Sequence, residues 1–421
     1  MSHRRLVLDN GIRVLLEEMP RRTTASTSVT VARGSRHEAP ADAGITHFIE
    51  HMLFKGTSRR DLYAIARDMN LQGGNMNAST SHETLRVYTT VVAEDVRESL
   101  ELMQDMLWHS TFPAQEVERE RGVILEEIAE ANDIPDDLCY ETWLSELFAG
   151  TTLEHPILGT PESVGAFQRE ELLRAWDAIR HPGNVIVSIA GGVDLDAAEA
   201  IARDIFAHLP AGAAPPATAF DEAAPLRATL GGRSLLERDL EQVQFCLGVP
   251  TPGQRDDSRY VLAYLDMILG AGMGSRLFNE VRERRGLAYS IGSSTALFSQ
   301  EGYFLISGST SPDTIDDVLA VCREEALKLA AEGPTAEEMD TAQRQVLRGI
   351  LMAMENPGYR AGRNVARELY DLDVNDDVVI ERMKSITAAE VQDLARQLFD
   401  GVDMTQTLVG PLPSAAEAGA A

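Results

Sequence analysis

The sequence predicts an α+β protein made of two similar halves. At 421 residues the chain is longer than one ordinary hydrophobic core supports, so two or more domains are expected. The Ala/Pro-rich stretch at 211–225 has little periodicity and is typical of a linker. Strand and helix patterns start again after it. We therefore expect domains at 1–210 and 226–412, followed by a disordered tail at 413–421.

The first half alternates short strands with helices. The pair Asn10-Gly11 between two apolar runs is a hairpin-turn signal. β-branched and aromatic runs predict strands, whereas apolar residues at helical spacing predict helices. The predicted strands are 13–16, 28–32, 84–92 and 185–192, and the predicted helices include 61–69, 96–107, 114–131 and 195–209.

A further predicted helix carries the sequence His47-Phe48-Ile49-Glu50-His51. His47 and His51 are four residues apart and lie on one face of a helix, where two neutral imidazoles can hold one metal ion. Glu50 reaches the same edge of that helix. The order H-x-x-E-H is that of the inverzincins. A surface cluster of the same residues is the alternative, and the metal hypothesis needs a third ligand.

A glutamate-rich helix is predicted at 114–131. Ile124 and Ile128 belong to its apolar stripe, while Glu120 and Glu127 are seven residues apart and share another face. Taken alone, this pattern fits a solvated acidic helix with Glu–Arg pairs.

The second half repeats the pattern of the first. Apolar residues alternate at 243–249, as they do in the strand at 28–32. A helix follows at 260–269, and another opens at Pro334 and aligns with the glutamate-rich helix. Such self-similarity indicates an internal duplication.

Only the first half can carry a histidine-based metal site. In the alignment of the two halves, Ala342 stands opposite Glu120 and Gly349 opposite Glu127. All nine histidines lie at or before His208. The duplication therefore has one degenerate copy.

The composition excludes several classes of protein. A net charge of -28 argues against nucleic-acid binding, because phosphates would be repelled. No apolar run approaches the ~20 residues of a membrane span, and no apolar h-region follows the N-terminal basic residues, so a cytoplasmic location is expected. Cys139, Cys246 and Cys322 are far apart and predict reduced core residues. Any metal must therefore be held by histidine and carboxylate.

With these features the chain resembles the pitrilysin-like (M16) zinc peptidases, specifically the processing-peptidase subgroup, whose subunits are about this long. The resemblance covers nearly the whole chain. It rests on H-x-x-E-H followed by Met-Leu-Phe-Lys-Gly-Thr, on Gly73-Gly74 leading to Asn77-Ala78, on the glutamate-rich helix, and on the run from Arg282 to Tyr289.

The resemblance implies the architecture of each half. Each would be an antiparallel-rich sheet covered by helices, and one chain would form half of a clam-shell chamber. A dimer with a second copy or with a related subunit would close that chamber.

The resemblance also implies a zinc site. His47 and His51 would be two ligands, and the third would be a glutamate about 76 residues beyond the second histidine, which is Glu127. Glu126 is the weaker choice, because it points about 100° away on the same helix.

Two further carboxylates have implied roles beside the zinc. Glu50 would take the proton of the zinc-bound water and pass it to the leaving amine. Glu120 would orient a histidine ligand. A surface ion pair with an arginine is the alternative for Glu120.

The remaining implied residues would contact the peptide. Asn77 and Ala78 precede a strand whose edge takes the substrate as an added strand, with a plain turn as the alternative. Arg282 and Tyr289 match an R-x6-Y element that contacts the substrate backbone and stabilises the oxyanion, with a structural role as the alternative. In two-chain members these groups serve the zinc of the facing subunit.

The implied function is that of a zinc-dependent endopeptidase cleaving unfolded peptides or presequence-like segments inside a dimeric chamber. The acidic charge would favour basic peptides. The alternative is a non-catalytic structural core subunit of the same fold. The intact set of His47, Glu50, His51 and Glu127 argues against that alternative.

Overall fold

A computed structural model describes residues 2–211, 228–372 and 375–411 of the chain. The predicted linker at 211–225 lies outside the described residues except for Ala211, and the predicted tail at 413–421 lies entirely outside them.

The strands occur in two groups along the chain. The first group is β1 (Ser2–Val7), β2 (Arg13–Glu18), β3 (Thr24–Val31), β4 (Asn77–Thr80), β5 (Leu85–Val92) and β6 (Val185–Gly191). The second group is β7 (Arg233–Glu237), β8 (Val243–Pro252), β9 (Ala288–Leu297), β10 (Glu301–Thr310) and β11 (Thr405–Gly410).

Helices lie between and after these strands. In chain order they are α1 (Ile45–Met52), α2 (Leu62–Leu71), α3 (Val96–His109), α4 (Ala114–Asp133), α5 (Pro135–Leu147), α6 (Pro161–Ala166), α7 (Arg169–Ile179), α8 (Leu195–Phe206), α9 (Ser258–Leu269), α10 (Ile315–Glu332), α11 (Ala336–Ala353), α12 (Pro357–Tyr370), α13 (Asp376–Ser385) and α14 (Ala388–Phe399). A π-helical segment, Phe278–Arg284, precedes β9.

By their contacts the residues form two compact units. The first unit holds β1 to β6, the helices α1 to α3 and α6 to α8, most of α4, and also α12. The second unit holds β7 to β11 with the remaining helices, including α5 from the N-terminal half of the sequence. The units are therefore not simple halves of the chain, and the boundaries 1–210 and 226–412 stay predictions.

The two units share one strand arrangement, as expected for a duplication. The first sheet has the order β1-β2-β6-β3-β5-β4 and the second has β7-β11-β8-β10-β9. In each sheet one pair is parallel, β2 with β6 and β7 with β11, and the other pairs are antiparallel. Among the described residues, β1 alone has no counterpart in the second sheet. The predicted α+β class and antiparallel-rich sheets are confirmed.

The main core of the first unit lies on one face of its sheet. Along β5 buried side chains alternate with less buried ones, as the pleat requires. Val29 and Val87 pack there with Phe48 of α1 and Met103 of α3. Each such fully buried side chain contributes roughly 1.5–3 kcal/mol through the hydrophobic effect. This core fixes α1 against the sheet.

Helix α12 covers the other face of the first sheet. Its apolar contact is small and consists of Val365 with Leu15 and Ile186. A buried ion pair adds to it, since the Arg360 guanidinium lies 2.7 Å from a carboxylate oxygen of Glu17. The face of the sheet that α12 covers is therefore partly polar.

The second unit has two apolar clusters. A large one lies between its sheet and α9, α10 and α14. In a smaller one, Cys139 and Trp143 of α5 contact the sheet near Cys246. All three cysteines are buried and unpaired, as the sequence predicts, with Cys322 in the larger cluster. Among the described residues no helix has the length and apolar character needed to span a bilayer.

Candidate metal centre

Helix α1 carries His47, Glu50 and His51, and its start is fixed by a buried carboxylate. Glu38 accepts hydrogen bonds from the backbone N–H groups of Gly44 at 2.9 Å and Thr46 at 2.8 Å. These groups would otherwise lack partners at the helix N-terminus. Gly44 has φ of 90°, and a Cβ there would lie 2.7 Å from backbone atoms of a neighbouring loop, so only glycine fits.

Three donor atoms converge between α1 and α4. The Oε2 atom of Glu127 lies 3.8 Å from Nε2 of His47 and 3.5 Å from Nε2 of His51. The candidate ligand atoms of these three residues all lie within 4.8 Å of one another. The structure thus brings together the two histidines of one helix and a glutamate from another.

This donor set suits zinc. Zinc binds imidazole nitrogen and carboxylate oxygen at about 2.0–2.2 Å in tetrahedral geometry, which places neighbouring donors roughly 3.4 Å apart. The separations from Glu127 to both histidines are close to that value. Two imidazoles and one carboxylate leave a fourth position for water or substrate, as in catalytic sites.

Burial keeps His47 in the form that a metal requires. Burial, and secondarily the neighbouring His51, lower the pKa of His47 to about 4. The ring is therefore neutral near pH 7 and its Nε2 lone pair is available. Its buried Nδ1 has no hydrogen-bond partner among the described residues.

Glu120 contacts the second histidine of the site. Oε2 of Glu120 lies 3.0 Å from Nδ1 of His51, and Oε1 lies 2.7 Å from the ammonium of Lys55. Because a carboxylate only accepts, Nδ1 carries the proton and Nε2 keeps its lone pair. Glu120 is only 4% exposed, and its ion-pair partner is a lysine and not the arginine of the alternative. Lys55, four residues after His51, was not predicted as a site residue.

Glu50 is held by a hydroxyl that the sequence did not reveal. Oγ1 of Thr80 in β4 donates a hydrogen bond of 2.5 Å to Oε2 of Glu50. Burial raises the pKa of Glu50, and the bond from Thr80 opposes this shift. Thr80 lies thirty residues downstream of Glu50, beyond the Gly73-Gly74 turn, and no local periodicity links the two.

Asn77 and Ala78 lie within β4, a short strand that precedes β5, the strand predicted at 84–92. This strand pairs with β5 and forms the end of the first sheet. Asn77 is exposed, and its side-chain oxygen accepts a hydrogen bond from the backbone N–H of Ala78 at 2.9 Å. Among the described residues no strand pairs with the outer edge of β4.

Arg282 and Tyr289 both belong to the second unit. The Arg282 guanidinium lies 4.5 Å from the centre of the Tyr289 ring and donates a 3.1 Å hydrogen bond to its backbone carbonyl. Tyr289 is 78% exposed. The structure therefore places the two side chains together, with the tyrosine accessible.

Comparison with known proteins matches both parts of the chain. The family model described as insulinase (peptidase family M16) matches residues 13–161, and the peptidase M16 inactive domain matches residues 166–346. An uncharacterized zinc protease of Rickettsia felis is 34% identical over 96% of each chain. One of Streptomyces coelicolor is 34% identical over 97% of this chain and 90% of the relative.

A solved structure has the same fold. The crystal structure of a peptidase M16 inactive domain from Pseudomonas fluorescens aligns with a TM-score of 0.90 at 22% identity, covering 98% of both chains.

Proposed function

The chain belongs to the M16 peptidase family, and from this premise we propose that it is a zinc-dependent endopeptidase. The observation that carries the proposal is the convergence of His47, His51 and Glu127, with Glu50 on the same helix as both histidines. The relatives named zinc proteases align over nearly their whole length, which supports the same broad activity.

We assign the zinc to the Nε2 atoms of His47 and His51 and a carboxylate oxygen of Glu127. When bound, zinc supplies Lewis acidity, which lowers the pKa of water and polarises a carbonyl group. The neutral ring of His47 and the charge of Glu127 suit that role. Glu120 positions His51 through Nδ1 and does not itself touch the metal.

Glu50 is the general base of the proposal. Its carboxylate takes the proton of the attacking water and passes it to the nitrogen of the leaving amine. Burial raises its pKa, which strengthens it as a base, while Thr80 fixes one carboxylate oxygen. The free oxygen is the one available for the water.

The open edge of β4 supports an extended peptide as substrate. A peptide added beside Asn77 and Ala78 would pair through backbone groups, which tolerate many sequences. Unfolded segments are the substrates that meet this requirement. The net charge of -28 favours basic peptides among them.

Arg282 and Tyr289 complete the proposal as substrate-backbone and oxyanion contacts. The guanidinium is held against the tyrosine ring, so both groups are presented together. We infer that the working form is a dimer with a second copy or a related subunit.

The test is mass-spectrometric mapping of a mixed peptide pool after incubation with zinc-loaded protein, with and without a chelator. Internal cleavage that the chelator abolishes is the expected result. Absence of cleavage with zinc bound would point to a missing partner subunit. Failure to bind zinc would favour the structural-subunit alternative.

A further inference from the structure

A polar cavity in the first unit shares no residue with the candidate metal centre. It has a volume of about 550 Å³ and lies among α2, α3, α8 and the loop before α2. This size falls in the range of small-ligand pockets, which is roughly 300–1,000 Å³. Charged side chains of both signs surround this cavity.

One side of the cavity carries an excess of positive charge. Arg60 lies 2.9 Å from Asp68 and 2.7 Å from the fully buried Asp105. Arg67 also contacts Asp68, at 2.8 Å, and Arg59 lies 3.7 Å from Asp105. Three guanidinium groups thus share two carboxylates. Arg59 and Arg67 are largely exposed, and the guanidinium groups on this side outnumber the carboxylates by one.

The wall formed by α3 and α8 has the opposite imbalance. Glu101 and Asp204 both line the cavity. They share the single guanidinium of Arg97, which lies 2.7 Å from Asp204 and 3.4 Å from Glu101. One negative charge on this wall is therefore left over.

A buried amide also lines the cavity. Gln104 is 5% exposed, and its Nε2 has no hydrogen-bond partner among the described residues. Buried side-chain donors are normally satisfied by protein, water or ligand. This donor is independent of the charged groups and suits a carbonyl oxygen.

We propose that this cavity binds a short peptide with free termini. Its carboxylate pairs with Arg59 and Arg67, since guanidinium groups match carboxylates in geometry. Its ammonium group lies at Glu101 and Asp204, and a peptide carbonyl accepts from Gln104. A zwitterion fits because guanidinium groups are in excess on one side of the cavity and carboxylates on the other.

Calorimetric titration with alanyl-alanine tests the proposal. The full zinc-loaded chain is used, with Glu50→Gln to prevent cleavage, so the result does not depend on the proposed peptidase activity. Arg67→Gln and Asp204→Asn should each weaken binding about fivefold through loss of one charged contact. Arg203→Gln, on α8 and paired with Glu199 outside the cavity, should leave binding unchanged.

End-blocked peptides identify the two charged contacts. Acetylation of the amine should weaken binding to the Asp204→Asn variant less than it weakens binding to the parent chain. Amidation of the carboxylate should do the same for Arg67→Gln. The proposal is overturned if alanyl-alanine does not bind, or if the doubly blocked peptide binds equally well. It is also overturned if His51→Gln loses binding and Arg67→Gln does not.

Discussion

Replacing Glu120 by glutamine should weaken zinc binding while leaving all three proposed ligands in place. Glutamine has the same shape but no charge, so His51 loses a charged acceptor and Lys55 loses its ion pair. Groups that orient a metal-binding histidine are typically worth 10–100-fold in affinity, or about 1.4–2.8 kcal/mol. We expect the upper part of that range, because Glu120 is only 4% exposed and water cannot readily replace it.

The assay is competition for zinc with a chromogenic chelator at neutral pH. Glu116→Gln is the matched control: Glu116 lies one turn earlier on α4, is 9% exposed and pairs with Arg119 at 3.1 Å. The zinc affinity of this variant should stay within about twofold of the parent, because Glu116 pairs with Arg119 and not with a residue of the candidate metal centre. An unchanged affinity in Glu120→Gln, or an equal loss in both variants, would refute the positioning role.

Three other outcomes follow from the same contacts. Burial raises the pKa of Glu38 to about 7, from an ordinary value of 4.5. The folded state then holds a proton that the unfolded state releases, so the protein should lose up to about 3 kcal/mol of stability between pH 4.5 and 7. Denaturant titrations of Glu38→Gln should show a flatter dependence of the unfolding free energy on pH. Arg360→Met leaves Glu17 buried and should lower the unfolding free energy by about 3–5 kcal/mol, whereas Arg5→Gln, at an exposed pair, should lower it by less than about 1 kcal/mol. Zinc at a hundredfold excess over its Kd should stabilise the chain by about 2.7 kcal/mol in calorimetry, a gain that His51→Gln abolishes.

Each of these expectations can fail in a distinct way. The Glu38 prediction is wrong if the unfolding free energy of the parent does not fall more than that of Glu38→Gln between pH 4.5 and 7. The ion-pair argument is wrong if Arg360→Met and Arg5→Gln have equal effects. The ligand assignment is wrong if zinc stabilises the His51→Gln variant as much as the parent.

Local patterns predicted the elements that carry the metal centre. Helical spacing separates His47 from His51 by four residues and Glu120 from Glu127 by seven. The sequence therefore predicts that each pair shares one face of its helix. The helices α1 and α4 duly present these residues toward one another. Long, strongly periodic helices are the features that sequence reasoning predicts best.

Contacts between distant segments were not predictable in this way. Thr80 reaches Glu50 only because the short strand β4 ends beside α1, and Glu38 caps α1 from an irregular loop. The packing of α12 on the first sheet joins residues more than three hundred positions apart through Glu17 and Arg360. Such pairings depend on tertiary structure, and no periodicity of either segment contains them.

We propose that Glu50 activates water for peptide cleavage beside a zinc ion held by His47, His51 and Glu127. The most direct test is the cleavage rate of one defined peptide by the parent and by Glu50→Gln, with zinc content measured in the same samples. We predict one zinc per chain in both proteins and a cleavage rate about 10²–10⁴-fold lower in the variant. Substantial cleavage by a zinc-replete Glu50→Gln protein would contradict the claim.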